Sequence, residues 1–501
     1  MDWTITPAAM KALEATYMAE SGVPGALLME HAAQGVCAAV ARYASVGDTA
    51  LFLCGPGNNG GDGYAAARLW QSRGGHSIIW ELNDRPRGDA GVNRRLAQAA
   101  GIPLCPPGDA PDCLPSCAVV VDALFGTGLD RMPTGTAAAL IRLANGSGKP
   151  IIAVDVPSGL DGLTGRVLGE AVHATETITF HRPKNGLLLG NGPAYVGRVT
   201  VHPILIPAAY GAAPGMACLT PADLPRLVPP RPACAHKGDL GRIVILAGSH
   251  GMAGAAALCT RACLKAGAGL VTVLCRADVL PLVQALAPGA VCQELPEKDG
   301  CLLPQAAGVA ASALAGASSA IVGCGLGRTD DLLPVLSAFR QAVCPVVWDA
   351  DALNLLASCP ALLPLPVHAV ITPHPGEAAR LLNLSAPQIT ADAPAALSVL
   401  QARCGCHVLL KGARTLMTDG YITAVNPIGT PALARGGSGD VLIGLLGALL
   451  ARARLAPGQT ILETMQLAVY LHARAAIDAA SHYGEDCMPI EALVDFIRLR
   501  P

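Results

Sequence analysis

The chain has almost no excess of charge and few aromatic rings. Its 35 lysines and arginines against 37 acidic residues leave a net charge of −2 at pH 7. No basic surplus therefore points to nucleic acid or to an anionic membrane. Aromatics are 3% of the sequence, which leaves the cores to aliphatic side chains and alanine. Among 18 cysteines no Cys-x-x-Cys pair occurs, so the paired ligand spacing of a zinc site is missing. Cys404-Gly405-Cys406-His407 is the one local cluster, and it lies at a strand approach. Cys113 and Cys117 stand one helical turn apart, as do Cys259 and Cys263. The pattern reads as free, buried, small apolar thiols in a reducing compartment. Long unbroken apolar runs are absent too. Ala255–Cys275 is interrupted by Arg261 and Lys265, short of the roughly 18 residues that a spanning helix needs. Met1-Asp2-Trp3-Thr4 lacks the basic region of a secretory signal. A soluble, cytoplasmic protein with no membrane partner is expected.

What is plentiful is apolar residue (52%), glycine (56) and proline (40) in a chain of 501. That length exceeds one ordinary domain, so two or three are expected. Short apolar runs alternate with helical patterns. Thr6–Tyr17 and Pro24–Tyr43 read as helices, Ala50–Cys54 as a buried parallel strand, Tyr64–Arg73 as a helix and Ser77–Leu82 as a strand. Between that first strand and its helix lies Gly55-Pro56-Gly57-Asn58-Asn59-Gly60-Gly61-Asp62-Gly63. It satisfies the G-x-G-x-x-G dinucleotide fingerprint, with Glu81 about 20 residues on. A plain strand-to-helix turn fits the same letters. The paired asparagines offer amide oxygens to a cation or a ribose.

Two more strands end in an aspartate and small residues. Ala118–Val121 runs into Asp122-Ala123-Leu124-Phe125-Gly126-Thr127-Gly128-Leu129, and Ile151–Val154 into Asp155-Val156-Pro157-Ser158-Gly159-Leu160-Asp161. Ligands of open α/β sheets bind beyond the carboxyl ends of the strands, so these loops should converge on one pocket. Asn145–Pro150 is not a phosphate loop, because Leu143 and Pro150 stand where that motif needs glycine and Ser/Thr.

GNNGGDG, DALFGTGL and DVPSGLDG, with PGALLMEHAA at 24–33, resemble the epimerase domain of the NAD(P)H-hydrate repair family. The resemblance covers roughly residues 1–212. It implies a Rossmann-like three-layer fold that interconverts the R and S hydrates of NADH and NADPH. Carried over, Asn58, Asn59, Gly60, Gly61 and Asp62 line the hydrate site with Gly126, Thr127, Gly128, Leu129, Asp130, Arg131 and Met132. Asp155 contacts the hydrate and is the leading acid/base residue. Asn59, Asp122 and Ser158 hold a potassium ion, for which amide, carboxylate and hydroxyl oxygens are suitable donors.

The stretch from Pro203 to Pro232 is rich in Pro, Ala and Gly and marks a boundary, with a second domain from near Met216. Strands are expected at Arg242–Leu246, Val271–Cys275, Ala320–Val322, Pro345–Trp348, Ala369–Ile371 and His407–Leu410, with a helix at Leu258–Ala266. The order is again βαβ, hence a largely parallel sheet. Polar residues again gather at strand ends. Arg435-Gly436-Gly437-Ser438-Gly439-Asp440 precedes the apolar run Val441–Leu446. Bare backbone amides at a helix N-terminus suit a phosphate, and Asp440 is placed to take a proton there. A tight turn capped by an acid is the bland alternative. His374 fits a turn residue as well as a ligand, and Lys411 before Gly412 suits a phosphate.

AGSHGMAGAA, GCGLG, DADALN, TPHPGE, LKGART and GGSGDVLIG, in that order, resemble the dehydratase domain of the same family over roughly 216–501. It implies a ribokinase-like α/β fold. Ala255, Gly325, His374 and Asp440 bind the hydrate, with Asp440 catalytic. Lys411, Gly412, Ala413, Arg414, Thr415 and Gly439 bind the nucleotide, taken as ADP with Mg2+. Cys324 departs from the proline common in its loop, and Ala247 from the glycine often found before Gly-Ser. The resemblance implies small-molecule substrates, NADHX, NADPHX and ADP, and a homo-oligomer. Two other readings fit parts of the sequence. One is an ATP-dependent small-alcohol kinase with a dinucleotide-binding regulatory first domain. The other is an NAD dehydrogenase, which rests on the glycine fingerprint alone.

Overall fold

A computed structural model describes residues 2–82, 85–105, 114–211 and 215–500. Cys113 of the expected cysteine pair and residues 212–214 at the expected boundary lie outside them. The chain forms two compact units, 2–216 and 217–501.

In the first unit, α1 (Pro7–Ser21) starts at Thr6, whose side chain accepts from the Ala9 amide, with proline in the first turn. It stops at Gly22, which is left-handed at φ 72°. α2 (Gly25–Val40) follows, small-residued and largely buried. Then strands and helices alternate: β1 (Thr49–Cys54), α3 (Asn58–Ser72), β2 (His76–Glu81), α4 (Gly88–Ala99), β3 (Leu104–Cys105), β4 (Val119–Ala123), α5 (Thr136–Gly146), β5 (Ile151–Val154), β6 (Glu176–Phe180) and β7 (Arg198–His202). The sheet order is β3-β2-β1-β4-β5-β6-β7 and every pairing is parallel. A parallel sheet covered on both faces needs continuous apolar strands, and Leu51–Cys54, Val119–Val121 and Ile151–Val154 are all buried.

One boundary corrects the sequence reading. The helix expected from Tyr64 begins at Asn58, so most of the glycine run is the first turns of α3. Glycines are poor helix formers, but close packing requires them here. A Cβ at Gly60 would lie 2.0 Å from the Gly55 carbonyl oxygen. The swap places Asp62 on a buried turn rather than in a loop.

The main strands of the second unit's large sheet are β8 (Arg242–Leu246), β9 (Leu270–Cys275), β10 (Val291–Glu294), β11 (Ser319–Val322), β12 (Val346–Trp348), β13 (Val370–Ile371), β14 (His407–Leu410), β15 (Leu416–Thr418) and β16 (Thr423–Val425). They run in the order β16-β15-β14-β13-β12-β11-β8-β9-β10. All pairings are parallel except those of β15 with its two neighbours. α6 (Ala253–Lys265) begins five residues before the helix expected at Leu258, so Ala255 lies in its first turn. α7 (Pro375–Leu382), α8 (Ser438–Ala451) and α9 (Ile461–Tyr483) complete the site's framework. α8 is nearly all apolar and buried, and packs against α6. No helix among the described residues is long and apolar enough to cross a membrane.

Candidate active sites

In the first unit the polar residues gather at the carboxyl ends of β1, β4 and β5. Asp122, next to last in β4, is fully buried. Its Oδ1 accepts from the Ser158 hydroxyl at 2.6 Å and its Oδ2 from the Ser158 amide at 2.8 Å. Burial pushes its carboxyl up to about 6 against the bonds from Ser158. The Ser158 hydroxyl also lies 2.9 Å from the Phe125 amide. The next residue, Gly126, has no room for a side chain, since a Cβ would meet the Asn59 amide oxygen at 2.8 Å. Asn59 Nδ2 is buried without a hydrogen-bond partner. Carboxylate, hydroxyl and amide oxygens thus line one pocket wall, a donor set that suits a hard monovalent cation. Met132, 57% exposed, covers Gly169 at the rim, while Asn58, Gly128, Asp130 and Arg131 are exposed.

Asp155 follows β5 and is left-handed at φ 65°, a costly conformation for a residue with a side chain. Its Oδ1 lies 2.6 Å from the Lys184 ammonium and accepts from the Thr179 hydroxyl at 3.0 Å. Lys184, only 1% exposed, also donates to Thr179 Oγ1 at 3.2 Å and to the Phe180 carbonyl at 3.0 Å. The same ammonium's charge also acts on Asp62 and Glu14. Burial raises both carboxyls, Asp62 far above the ordinary range, and the Asp155 charge adds to each. Sequence reasoning missed Lys184, Thr179 and Glu14, which lie outside the strand-end motifs of this unit. Thr179 and Lys184 arrive from β6 and its following loop, beside β5 in the sheet.

In the second unit the turn at Gly436–Gly439 opens α8, with Gly437 left-handed at φ 89°. Gly439 lies against Lys411 and Asp349, where a Cβ would stand 3.4 Å from the ammonium. Lys411 Nζ is 2.6 Å from Asp349 Oδ1, which also accepts from the Thr372 hydroxyl at 2.8 Å. Burial opposes the ammonium's charge, but Asp349 and then Glu377 outweigh it and hold the lysine above its usual range. Asp440 sits beside this pair. Burial and then the Asp349 charge push its carboxyl up to about 6, against a Cys324 hydrogen bond and Lys411. His374 caps α7. Its Nδ1 accepts from the Gly376 amide at 3.0 Å and its Nε2 lies 3.3 Å from Glu377. Burial and then Lys411 hold the imidazole below its usual range. Gly325 (φ 56°) adjoins Ala255, 3.2 Å from a Cβ built on it, and its carbonyl accepts from Ser249. His472, held neutral at about 4 by burial, bonds the Ser438 carbonyl and steadies the turn.

The structure therefore brings Lys411, Gly439, Asp440 and His374 together around Asp349. Asp349 and Glu377 stood in the DADALN and TPHPGE motifs but were not singled out. Gly412 and Ala413 are exposed beside Lys411, and Thr415 is buried. Arg414 is half-buried, its Nη1 donating to the Ala413 carbonyl at 3.2 Å and its Nε without a hydrogen-bond partner among the described residues. Cys404 and Cys406 are buried free thiols.

Residues 243–498 match the family model described as NAD(P)H-hydrate dehydratase, and residues 25–186 match that of the YjeF-related protein N-terminus. The chain is 37% identical over 521 aligned positions to the bifunctional NAD(P)H-hydrate repair enzyme Nnr of Moorella thermoacetica, covering 99% of this chain and 96% of that one. It is 35% identical to the enzyme of the same name from Vibrio cholerae, over 84% of this chain and 83% of the relative. The Coxiella burnetii enzyme of that name is 34% identical, with 93% of each chain covered.

Proposed function

This chain belongs to the bifunctional NAD(P)H-hydrate repair family, and from that membership we propose how its two sites divide the work. The protein is an enzyme that epimerises and dehydrates hydrated nicotinamide coenzymes. The epimerase is assigned to the first unit, spanning about 1–212, and the dehydratase to the second, about 216–501. The observation that carries the second assignment is the cluster of Asp440, Lys411 and Asp349 under the Gly436–Gly439 turn.

The hydrate carries a hydroxyl on C6 of a reduced nicotinamide ring, and hydroxide is a poor leaving group. Asp440 takes the hydroxyl proton while the oxygen attacks the terminal phosphorus of ADP and AMP departs. Helix-terminal amides at Gly436–Gly439 and the Lys411 ammonium stabilise the phosphoryl group in flight. The ring-nitrogen lone pair then expels phosphate from C6, and loss of a C5 proton restores NAD(P)H. Lys411, Gly412, Ala413, Arg414, Thr415 and Gly439 hold the nucleotide. Ala255, Gly325, His374 and Asp440 hold the hydrate. Mg2+ would come with the nucleotide and would offset the charge of its phosphates during transfer. No group of three or more His, Cys, Asp or Glu among the described residues is placed to hold a metal unaided.

In the first unit, K+ is assigned to Asn59, Asp122 and Ser158, where it would keep the buried Asp122 carboxylate ionised. Asn58, Asn59, Gly60, Gly61, Asp62, Asp155 and the 126–132 loop surround the hydrate. The test is recovery of reduced-nicotinamide absorbance from purified S-hydrate, with ADP and separately with ATP. Recovery with a nucleotide, and release of AMP from ADP, is expected. A phosphorylated product that accumulates without NAD(P)H would overturn the reading in favour of a kinase.

A further inference from the structure

The buried acids of the first unit are partnered, with one exception inside the site. Glu81 holds Arg94 and Tyr64, Glu176 holds Arg42 and Arg198, Asp122 holds Ser158, and Asp155 holds Lys184. Asp62 is 9% exposed on the second turn of α3, and its carboxyl makes no hydrogen bond to another described residue. Its surroundings are Asp155 and Lys184, from the ends of β5 and β6, and Glu14 from α1. His181, also at the end of β6, faces the same lysine. One ammonium therefore serves three carboxyl groups, and its short contact at 2.6 Å is to Asp155 alone. A buried carboxylate with neither a cation nor a donor of its own keeps its proton.

We propose that Asp62 and Asp155 form the acid–base pair of epimerisation, Asp62 entering as the acid and Asp155 as the base, with Lys184 the positioning residue that fixes the Asp155 carboxyl through its 2.6 Å contact. This rests on the epimerase reading of the first unit. The hydrate is a carbinolamine, with hydroxyl and ring nitrogen on the same carbon. Asp155 takes the hydroxyl proton, C6–O becomes a carbonyl, the C6–N1 bond breaks, and N1 takes the proton of Asp62. Rotation about C5–C6 turns the other aldehyde face to nitrogen. Re-addition returns the N1 proton to Asp62 and the Asp155 proton to the new hydroxyl. Both carboxyls end as they began, and no other reactant is consumed. Two carboxyls in unlike settings, one held by an ammonium and one without a donor, are the pattern such a step needs.

The test follows R-hydrate to S-hydrate by the full-length protein without nucleotide, across pH. For the unmodified protein kcat should fall at alkaline pH, a limb that belongs to Asp62. Asp62→Asn should lower kcat at least about 10²-fold and abolish the alkaline limb. Lys184→Met should lower kcat more than it changes KM, and Lys184→Arg should largely restore it. A rate flat into alkaline pH in the unmodified protein overturns the proposal without any variant. So does an Asp62→Asn protein within a few-fold of normal with its alkaline limb intact. An unmodified protein that does not epimerise at all would instead overturn the epimerase reading.

Discussion

Asp440 carries the heaviest chemical demand on a single side chain. Its carboxyl is pushed up to about 6 by burial and the Asp349 charge, so it is ionised at neutral pH yet basic enough to receive a proton. A base works only when deprotonated. Dehydration kcat is therefore expected to fall as pH drops through about 6, and the pH profile of the S-hydrate reaction checks this. Asp440→Asn should reduce dehydration by about 10²–10⁴-fold and leave epimerisation unchanged, measured side by side on the two hydrates. Asp122 poses the complementary question. Burial, against the bonds from Ser158, brings its carboxyl up to about 6, and a potassium ion beside it would hold it ionised. Thermal stability of the first unit should thus rise with K+ and lose that dependence in Asp122→Asn. A melting curve indifferent to K+ would remove the cation from this pocket.

At the scale of elements, each site is a set of strand ends brought level by parallel pairing. Much of that was legible in the sequence. Apolar strands ending in Asp122 and Asp155, and Lys411 just past Leu410, sit where an open parallel sheet puts ligands. What could not be read was which side chains meet. Lys184 lies 29 positions beyond Asp155 in no glycine-rich motif, and only the β5–β6 ladder brings its loop alongside. Glu14 comes from an amphipathic first helix, where a half-buried acid looks like any solvated residue. The helix starts at Asn58 and Ala253 were also hidden, because glycine-rich residues read as loop until their neighbours are known. The α6–α8 contact has its own prediction. A Cβ at Gly444 would lie 2.3 Å from the Cys259 carbonyl oxygen, so Gly444→Ala must spread two helices that position Ala255 and the Gly436–Gly439 turn. A loss of about 1–3 kcal/mol is expected, read as a lower melting temperature of the second unit with the first unit's unchanged.

For the whole molecule, the two units meet one chemical problem twice. A hydrate formed in both configurations needs an isomerase to supply the configuration that the dehydratase accepts, and family membership places both activities in this chain. The central claim is that Asp440, in one unit, removes the surplus water, while Asp155, in the other, only reshuffles its configuration. The direct measurement starts from pure R-hydrate and ADP and follows both S-hydrate and reduced-nicotinamide absorbance in the unmodified protein and in Asp440→Asn. The unmodified protein should pass R-hydrate through to NAD(P)H. Asp440→Asn should accumulate an equilibrium mixture of R and S with almost no absorbance recovered. Near-normal recovery of NAD(P)H by that variant would contradict the account.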